Sequence, residues 1–294
     1  MRRGLLLLLL LLALGAIAAG CGGEDDNGGT PSAQASCDKG DLALVEPGKL
    51  TIGTDNPAFP PWFGGTPPQG STWEVGDPTS GEGFESAVAY AVADELGFTK
   101  DEVTWVVVPF NQSFKPGPKD FDFDINQISY LPARDKAVDF SDSYYDVNQA
   151  LVAMDGTPIT KAKTLDDLKP YKLGAQIGTT SYNYINDTIK PSKDPSVYDT
   201  NNDVISALKA KQIDGIVVDL PTGFFVTAAQ LEGSTIVGQF PAAGEQERFG
   251  MVFEEGSSLR DCVNEALKAV KDAGRLEEIQ TEWLSTKAEA PVIE

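Results

Sequence analysis

The chain contains no histidine in 294 residues. That absence removes Ser-His-Asp and Cys-His catalysis, imidazole acid–base work and most zinc sites. Basic residues are also scarce. Lys and Arg number 23 against 44 Asp and Glu, a net charge of −21. Such a balance argues against nucleic acid and against an anionic membrane surface as partners, and by itself it names no substrate. No internal repeat of solenoid period is present. One long apolar run exists, Leu5 to Ala19, and it is too short for a comfortable membrane span. Arg2 and Arg3 precede it, so the two together read as the charged and apolar regions of an export leader, residues 1–20.

The run closes on Ala18-Ala19-Gly20-Cys21, small residues directly before a cysteine. This resembles a bacterial lipobox, which implies a lipidated Cys21 as the first mature residue; the alternative is an ordinary cleaved leader with an incidental cysteine. Residues 22–36 (GGEDDNGGTPSAQAS) hold too little apolar surface to offset their ordering entropy and read as a flexible tether, with Cys21 at its head. Outside the cytoplasm Cys37 and Cys262 are free to form one disulfide. Closing so long a loop contributes about 5 kcal/mol at most in the chain-entropy picture. The alternative for Cys262 is a buried thiol, since it shares an apolar helical face with Leu259, Val263 and Ala266.

The remaining length suits two lobes of α/β type. Leu50 to Asp55 reads as a first strand, followed by the proline-stiffened loop Asn56-Pro57-Ala58-Phe59-Pro60-Pro61-Trp62. Trp62 is expected to pack beneath that loop. Residues 64–83 read as a long surface loop with no assigned role. Phe84, Val88, Ala91, Val92 and Leu96 recur at helical spacing up to Gly97. The continuous apolar run Val103 to Val108 predicts a strand covered on both faces, with Phe110 after it, either lining a pocket or packed in the core. Phe121, Phe123 and Ile125 alternate with Asp120, Asp122 and Asp124 as in a half-buried strand. Gln149 to Met154 reads as a strand leaving the first lobe, and Ile236 to Phe240 as the return crossing. Thr164 opens a capping-box helix, and a further helix starts at Asp203. After the strand Lys172 to Gln176, the turn Ile177-Gly178-Thr179-Thr180-Ser181 puts N–H groups and hydroxyls at a helix start, a geometry suited to an anion or to a plain threonine cap. Gln212 to Asp219 is a strand whose apolar run ends in a carboxylate at a strand mouth, with an N-cap for the Pro221 helix as the other reading. Two final helices follow, one with Leu259, Cys262, Val263, Ala266, Leu267 and Val270 on one face, the other after Gly274 with Leu276, Ile279, Gln280 and Trp283.

The stretch Ile125 to Asp142, INQISYLPARDKAVDFSD, resembles the S-x-T-x-x-R…F-S-x-P-Y region of the extracytoplasmic solute-binding proteins of amino-acid ABC transporters. Ser129 and Arg134 match at the right spacing, and Phe140-Ser141 with Tyr144 or Tyr145 match the tail. Leu131 departs from the family threonine, and Gln127 from a usual glycine or serine. The resemblance spans Leu50 to Leu284. It implies a two-lobed periplasmic-binding-protein fold, with two mixed-sheet α/β lobes joined by a two-strand hinge: residues 37–148 as the first part of lobe 1, 149–238 as lobe 2, and 239–294 as the return to lobe 1. It further implies ligand contacts at Asp55, Phe59, Ser129, Arg134, Thr179, Thr180 and Asp219, and the candidate site adds Phe110, from its place at a strand end, and Gln127, a departure from the family pattern. In that site Arg134 takes a carboxylate, Asp219 an ammonium, and Phe59 stacks on the ligand. No cofactor, metal or catalytic residue is implied.

The implied role is extracytoplasmic capture of an amino acid or related small zwitterion and delivery to an ABC permease, by a lipid-anchored monomer that touches the membrane through its anchor alone. Asp55 and Gln127 tilt the ligand toward a polar or cationic side chain. Two alternatives share the fold: an enzyme like the periplasmic cyclohexadienyl dehydratases, for which no strong general acid stands out, and a ligand-sensing lipoprotein.

Overall fold

Two five-stranded mixed sheets and a two-stranded ribbon between them carry the chain in this computed structural model, which describes residues 36–284 and 290–294. The expected leader, Cys21 and all but the last residue of the tether lie outside the described residues. The first sheet has the strand order Val103–Val107, Leu50–Thr54, Phe123–Asp124, Val252–Phe253, Asp139–Phe140. Its first three strands run parallel, and Val252–Phe253 runs antiparallel to both its neighbours. Every residue of Leu50–Thr54 is buried, as its central place demands. The helix Phe84–Glu95 covers this sheet with the predicted apolar face. It stops where Gly97 adopts a left-handed φ of 82°, so that Gly97 N–H donates to Asp94 O and Phe98 N–H to Ala93 O, a closure that glycine makes without a Cβ penalty.

Helices Leu259–Asp272 and Arg275–Leu284 complete the first lobe's core. The buried face of Leu259–Asp272 is the predicted one, Leu259, Cys262, Val263, Ala266, Leu267 and Val270. Cys262 is bonded to Cys37 with a Cα–Cα distance of 5.3 Å, which fastens the start of the described chain to this helix.

The second sheet has the order Ser234–Gln239, Gln149–Met154, Gly215–Asp219, Leu173–Gln176, Ser196–Tyr198. Here the expected crossings need correction. Gln149–Met154 is an inner strand of the second sheet, and Ser234–Gln239 is that sheet's edge, antiparallel to it. The ribbon that links the lobes is Tyr145–Asp146 paired with Arg248–Phe249. Both true crossings are too short and polar to stand out from the apolar strands beside them. The return also does not finish in the first lobe. Ile293 is buried in the second lobe's core, and Ile293 N–H and Glu294 N–H donate to Gln239 O and Lys163 O.

Three local expectations change as well. Val103–Val107 is an edge strand with Val107 43% exposed, because an apolar run does not by itself tell an edge from a centre. In residues 120–125 only Phe123–Asp124 enters the ladder, and Asp122 and Asp124 are buried along with the phenylalanines. Asp122 is there to accept hydrogen bonds from Thr51 N (2.6 Å) and Val45 N (2.8 Å). The helix expected from Asp203 starts at Asn201, with Thr200 capping Asp203 N–H. The capping box of Thr164 with Asp167 forms as expected. Residues 64–83 turn out to buttress the proline-rich loop: Ala58 N–H donates to Glu74 O, Gly76 N–H to Ala58 O, and Asn56 Nδ2 to Thr72 O.

Candidate functional site

The strand ends of both sheets face a cleft of about 160 Å³, and all nine positions expected at the ligand site line it. Arg134 enters from the first lobe. The turn that carries it starts at Leu131, whose carbonyl accepts from Arg134 N–H (2.9 Å) and Asp135 N–H (3.0 Å). Arg134 is 7% exposed, and its guanidinium lies 4.2 Å from the Phe114 ring centre and 5.6 Å from that of Phe110. Phe110 therefore lines the cleft and shares the stacking of the cation with Phe114, which the sequence did not single out. Arg134 Nη1 donates to Ser129 O in its own lobe (2.6 Å), and Nη2 donates to Gly178 O in the other (2.7 Å). Burial pulls its pKa down to about 10, against the opposing charges of Glu247 and Asp219. Gly178, at φ 78°, holds the left-handed backbone that turns its carbonyl to the guanidinium.

Asp219 enters from the second lobe at the end of Gly215–Asp219. It precedes the helix Leu220–Phe225 yet makes no side-chain cap bond there. Its Oδ1 accepts from Gln149 Nε2 (2.6 Å) instead. Burial first, then the charge of Glu247, pushes its pKa well above the usual carboxylate range. Asp55 sits at the opposite wall, where its carboxylate accepts from Asn56 N (2.7 Å) and Phe110 N (3.3 Å). Burial raises its pKa, and those two N–H donors oppose the rise. Among the residues that line the cleft, two carboxylates, Asp55 and Asp219, thus face one guanidinium.

The threonines divide. Thr179 is a helix cap whose hydroxyl accepts from Tyr182 N (3.1 Å) and donates to Gln176 O (2.7 Å). Thr180 is the one turned inward, with its Oγ1 3.4 Å from Ser129 Oγ across the lobes. Both hydroxyls bond Glu247, a residue with no sequence signal beyond its place in the polar run GEQER. Gln127 lines the cleft, but its main-chain N–H (2.7 Å) and side-chain amide both donate to Glu85. Its φ of 48° is a left-handed backbone that favours glycine. Glu85 is fully buried and also accepts from Tyr144 Oη, and burial pushes its pKa up to about 7. A signal for Glu85 did exist: with Val88, Ala89 and Val92 it falls on the apolar helix face at i, i+3, i+4 and i+7.

Two aromatic contacts tie the proline-rich loop to the second lobe. The Phe59 ring lies 6.4 Å from that of Phe225. Trp62 is buried against Phe84, Tyr145 and Phe249, as expected of packing beneath the loop, and its Nε1 also donates to Thr222 Oγ1 (3.0 Å) in the second lobe.

The sequence profile of the bacterial extracellular solute-binding proteins, family 3, matches residues 51–286. Similar curated proteins include the arginine-binding extracellular protein ArtP of Bacillus subtilis (strain 168), 27% identical over 208 residues, 69% of this chain and 78% of that protein. The ABC transporter glutamine-binding protein GlnH of the same organism is 27% identical over 280 residues, 91% of this chain and 92% of that protein. Among solved structures, an ancestral arginine-binding protein bound to arginine is 28% identical, with a TM-score of 0.65 over 80% of this chain and 98% of that one.

Proposed function

Because the chain belongs to the bacterial extracellular solute-binding proteins, family 3, we propose that it captures a small amino acid with a cationic side chain between its lobes and delivers it to an ABC permease. The observation that carries this reading is the meeting of Arg134 from one lobe and Asp219 from the other in a single cleft. An amino acid offers a carboxylate and an ammonium on one carbon. Arg134 supplies the planar fork for the first, and the Ser129 and Thr180 hydroxyls add donors. Asp219 receives the ammonium. Asp55, across the cleft, receives a distal cation, and Phe59 covers the aliphatic stem. L-Arginine is the leading candidate, in keeping with the charge balance of the cleft and with the names of the arginine-binding relatives. A ligand bound by groups on both lobes favours the closed arrangement over an open one, and the closed form is what a permease reads.

The same reading places the protein outside the cytoplasm as a monomer, with residues 1–20 as leader, Cys21 lipidated and 22–36 as tether. It assigns 37–148 with most of 239–294 to one lobe, 149–238 to the other, and no enzymatic turnover. Calorimetry with the chain lacking its leader tests it. L-Arginine is expected to bind, and Arg134→Ala to abolish binding. Wild-type binding by Arg134→Ala refutes the site, and turnover of prephenate or arogenate refutes the pure binder.

A further inference from the structure

Glu247 stands on the donors that the proposed ligand carboxylate needs. Its Oε1 accepts from Ser129 Oγ (2.5 Å) and from Thr180 Oγ1, and its Oε2 accepts from Gln149 Nε2 (3.0 Å). Ser129 belongs to the first lobe, and Thr180 and Gln149 to the second, so one carboxylate gathers donors from both. The main chain at Glu247 is held in the hinge, where its carbonyl accepts from Val147 N–H (3.0 Å) beside the ribbon pair Arg248 and Asp146. From that fixed point on the hinge the side chain lines a neighbouring cavity and reaches the Ser129 and Thr180 hydroxyls at the back of the cleft.

A hydroxyl has one proton to donate. Ser129 and Thr180 cannot both serve Glu247 and a second carboxylate, and two carboxylates set side by side repel. We infer that Glu247 is a resident carboxylate that latches the lobes through Ser129 and Thr180 and that an incoming ligand carboxylate must displace. The latch concerns the protein by itself; the displacement rests on the proposed amino-acid reading. Two consequences follow from the geometry. The latch raises the share of the closed arrangement in the ligand-free protein, which ligand then completes, and the site disfavours ligands with a carboxylate relative to the same cation without one. Glu247 is a positioning and specificity residue, and its displacement acts directly on the hinge strand Arg248–Phe249 that follows it.

The test has two readouts on wild type, Glu247→Gln and Glu247→Ala, each first shown to be folded by circular dichroism. Small-angle scattering without ligand is expected to show a larger radius of gyration for Glu247→Ala, with Glu247→Gln between the two because its amide oxygen still accepts. Calorimetry is run with L-arginine and with agmatine, the amine that lacks the α-carboxylate. Loss of one charge-assisted competitor is expected to tighten L-arginine by roughly tenfold in Glu247→Ala, and agmatine is expected to weaken or stay unchanged. Identical ligand-free scattering for all three proteins overturns the latch. Equal weakening of both ligands overturns the displacement, since Glu247 would then hold the ligand's cation. If neither ligand binds any of the proteins, the amino-acid reading and the displacement fall together, while scattering still decides the latch.

Discussion

Glu85 offers a perturbation whose size can be worked from the structure. It is fully buried in the helix Phe84–Glu95, and its carboxyl receives Tyr144 Oη, Gln127 N–H and the Gln127 amide. Burial raises its pKa from an ordinary 4.5 to about 7, and those donors oppose the rise. A pKa raised by folding means that the folded state prefers the protonated acid. The stabilisation is complete below pH 4.5 and is lost as pH climbs through 7. At 1.36 kcal/mol per pKa unit the full effect is about 3 kcal/mol, most of it lost between pH 5 and pH 8. Glu85→Gln removes the titration. A glutamine at this position keeps an acceptor for Tyr144 Oη and Gln127 N–H, and rotation of the Gln127 amide presents its oxygen to the new NH₂ group. Urea unfolding followed by circular dichroism across that pH range checks the reasoning. The wild type should lose roughly 2 kcal/mol more than the variant on going from pH 5 to pH 8. Asp124, raised chiefly by burial, is raised further by the Glu85 charge, so the variant relieves that increment as well and the difference between the proteins includes it. Parallel stability curves for the two proteins would refute the account.

Asp219, held high by burial, should ionise when it meets an ammonium, so ligand binding should release a proton and affinity should rise with pH from the usual carboxylate range upward toward the raised ligand-free pKa. Calorimetry in buffers of different ionisation enthalpy measures that proton, and Asp219→Asn should remove both the release and most of the affinity. Trp62→Phe takes away the indole bond to Thr222 across the lobes and should weaken ligand binding by about fivefold, the worth of one neutral hydrogen bond. Thr222→Val should do the same, and the double variant should add nothing further. Replacing Cys37 and Cys262 by serine opens a loop of sequence separation 225 and should lower stability by about 5 kcal/mol at most, read as a melting-temperature drop on the order of 10 °C. An unchanged melting temperature would show that the cross-link does not constrain the unfolded chain.

The identity of the elements was legible in the sequence because local patterns carry it. The apolar face of Leu259–Asp272, the Gly97 stop and the Thr164 capping box each depend on residues a few positions apart. The cleft residues at strand ends were legible for a related reason. Asp219 closes an apolar run and Arg134 follows a strand-breaking proline, and a strand end in an α/β sheet is where a side chain reaches the ligand side. The resemblance supplied the rest, and all nine positions meet in one cleft.

What a side chain does within that cleft depended on partners distant in the chain. Thr179 and Thr180 are adjacent and alike, yet one caps its own helix and the other faces Ser129, 51 residues away. Gln127 read as a ligand contact and lines the cleft, but its main-chain N–H and one amide N–H are taken by Glu85, 42 residues before it. Glu247 is one acid among 44, and only folding sets it on hydroxyls 118 and 67 residues away. Periodicity and turn chemistry act over a few residues and so survive in the linear order. Burial, pairing of buried polar groups and the choice of hydrogen-bond partner act between surfaces that meet only when the lobes are assembled, and those alone decided how this cleft is wired.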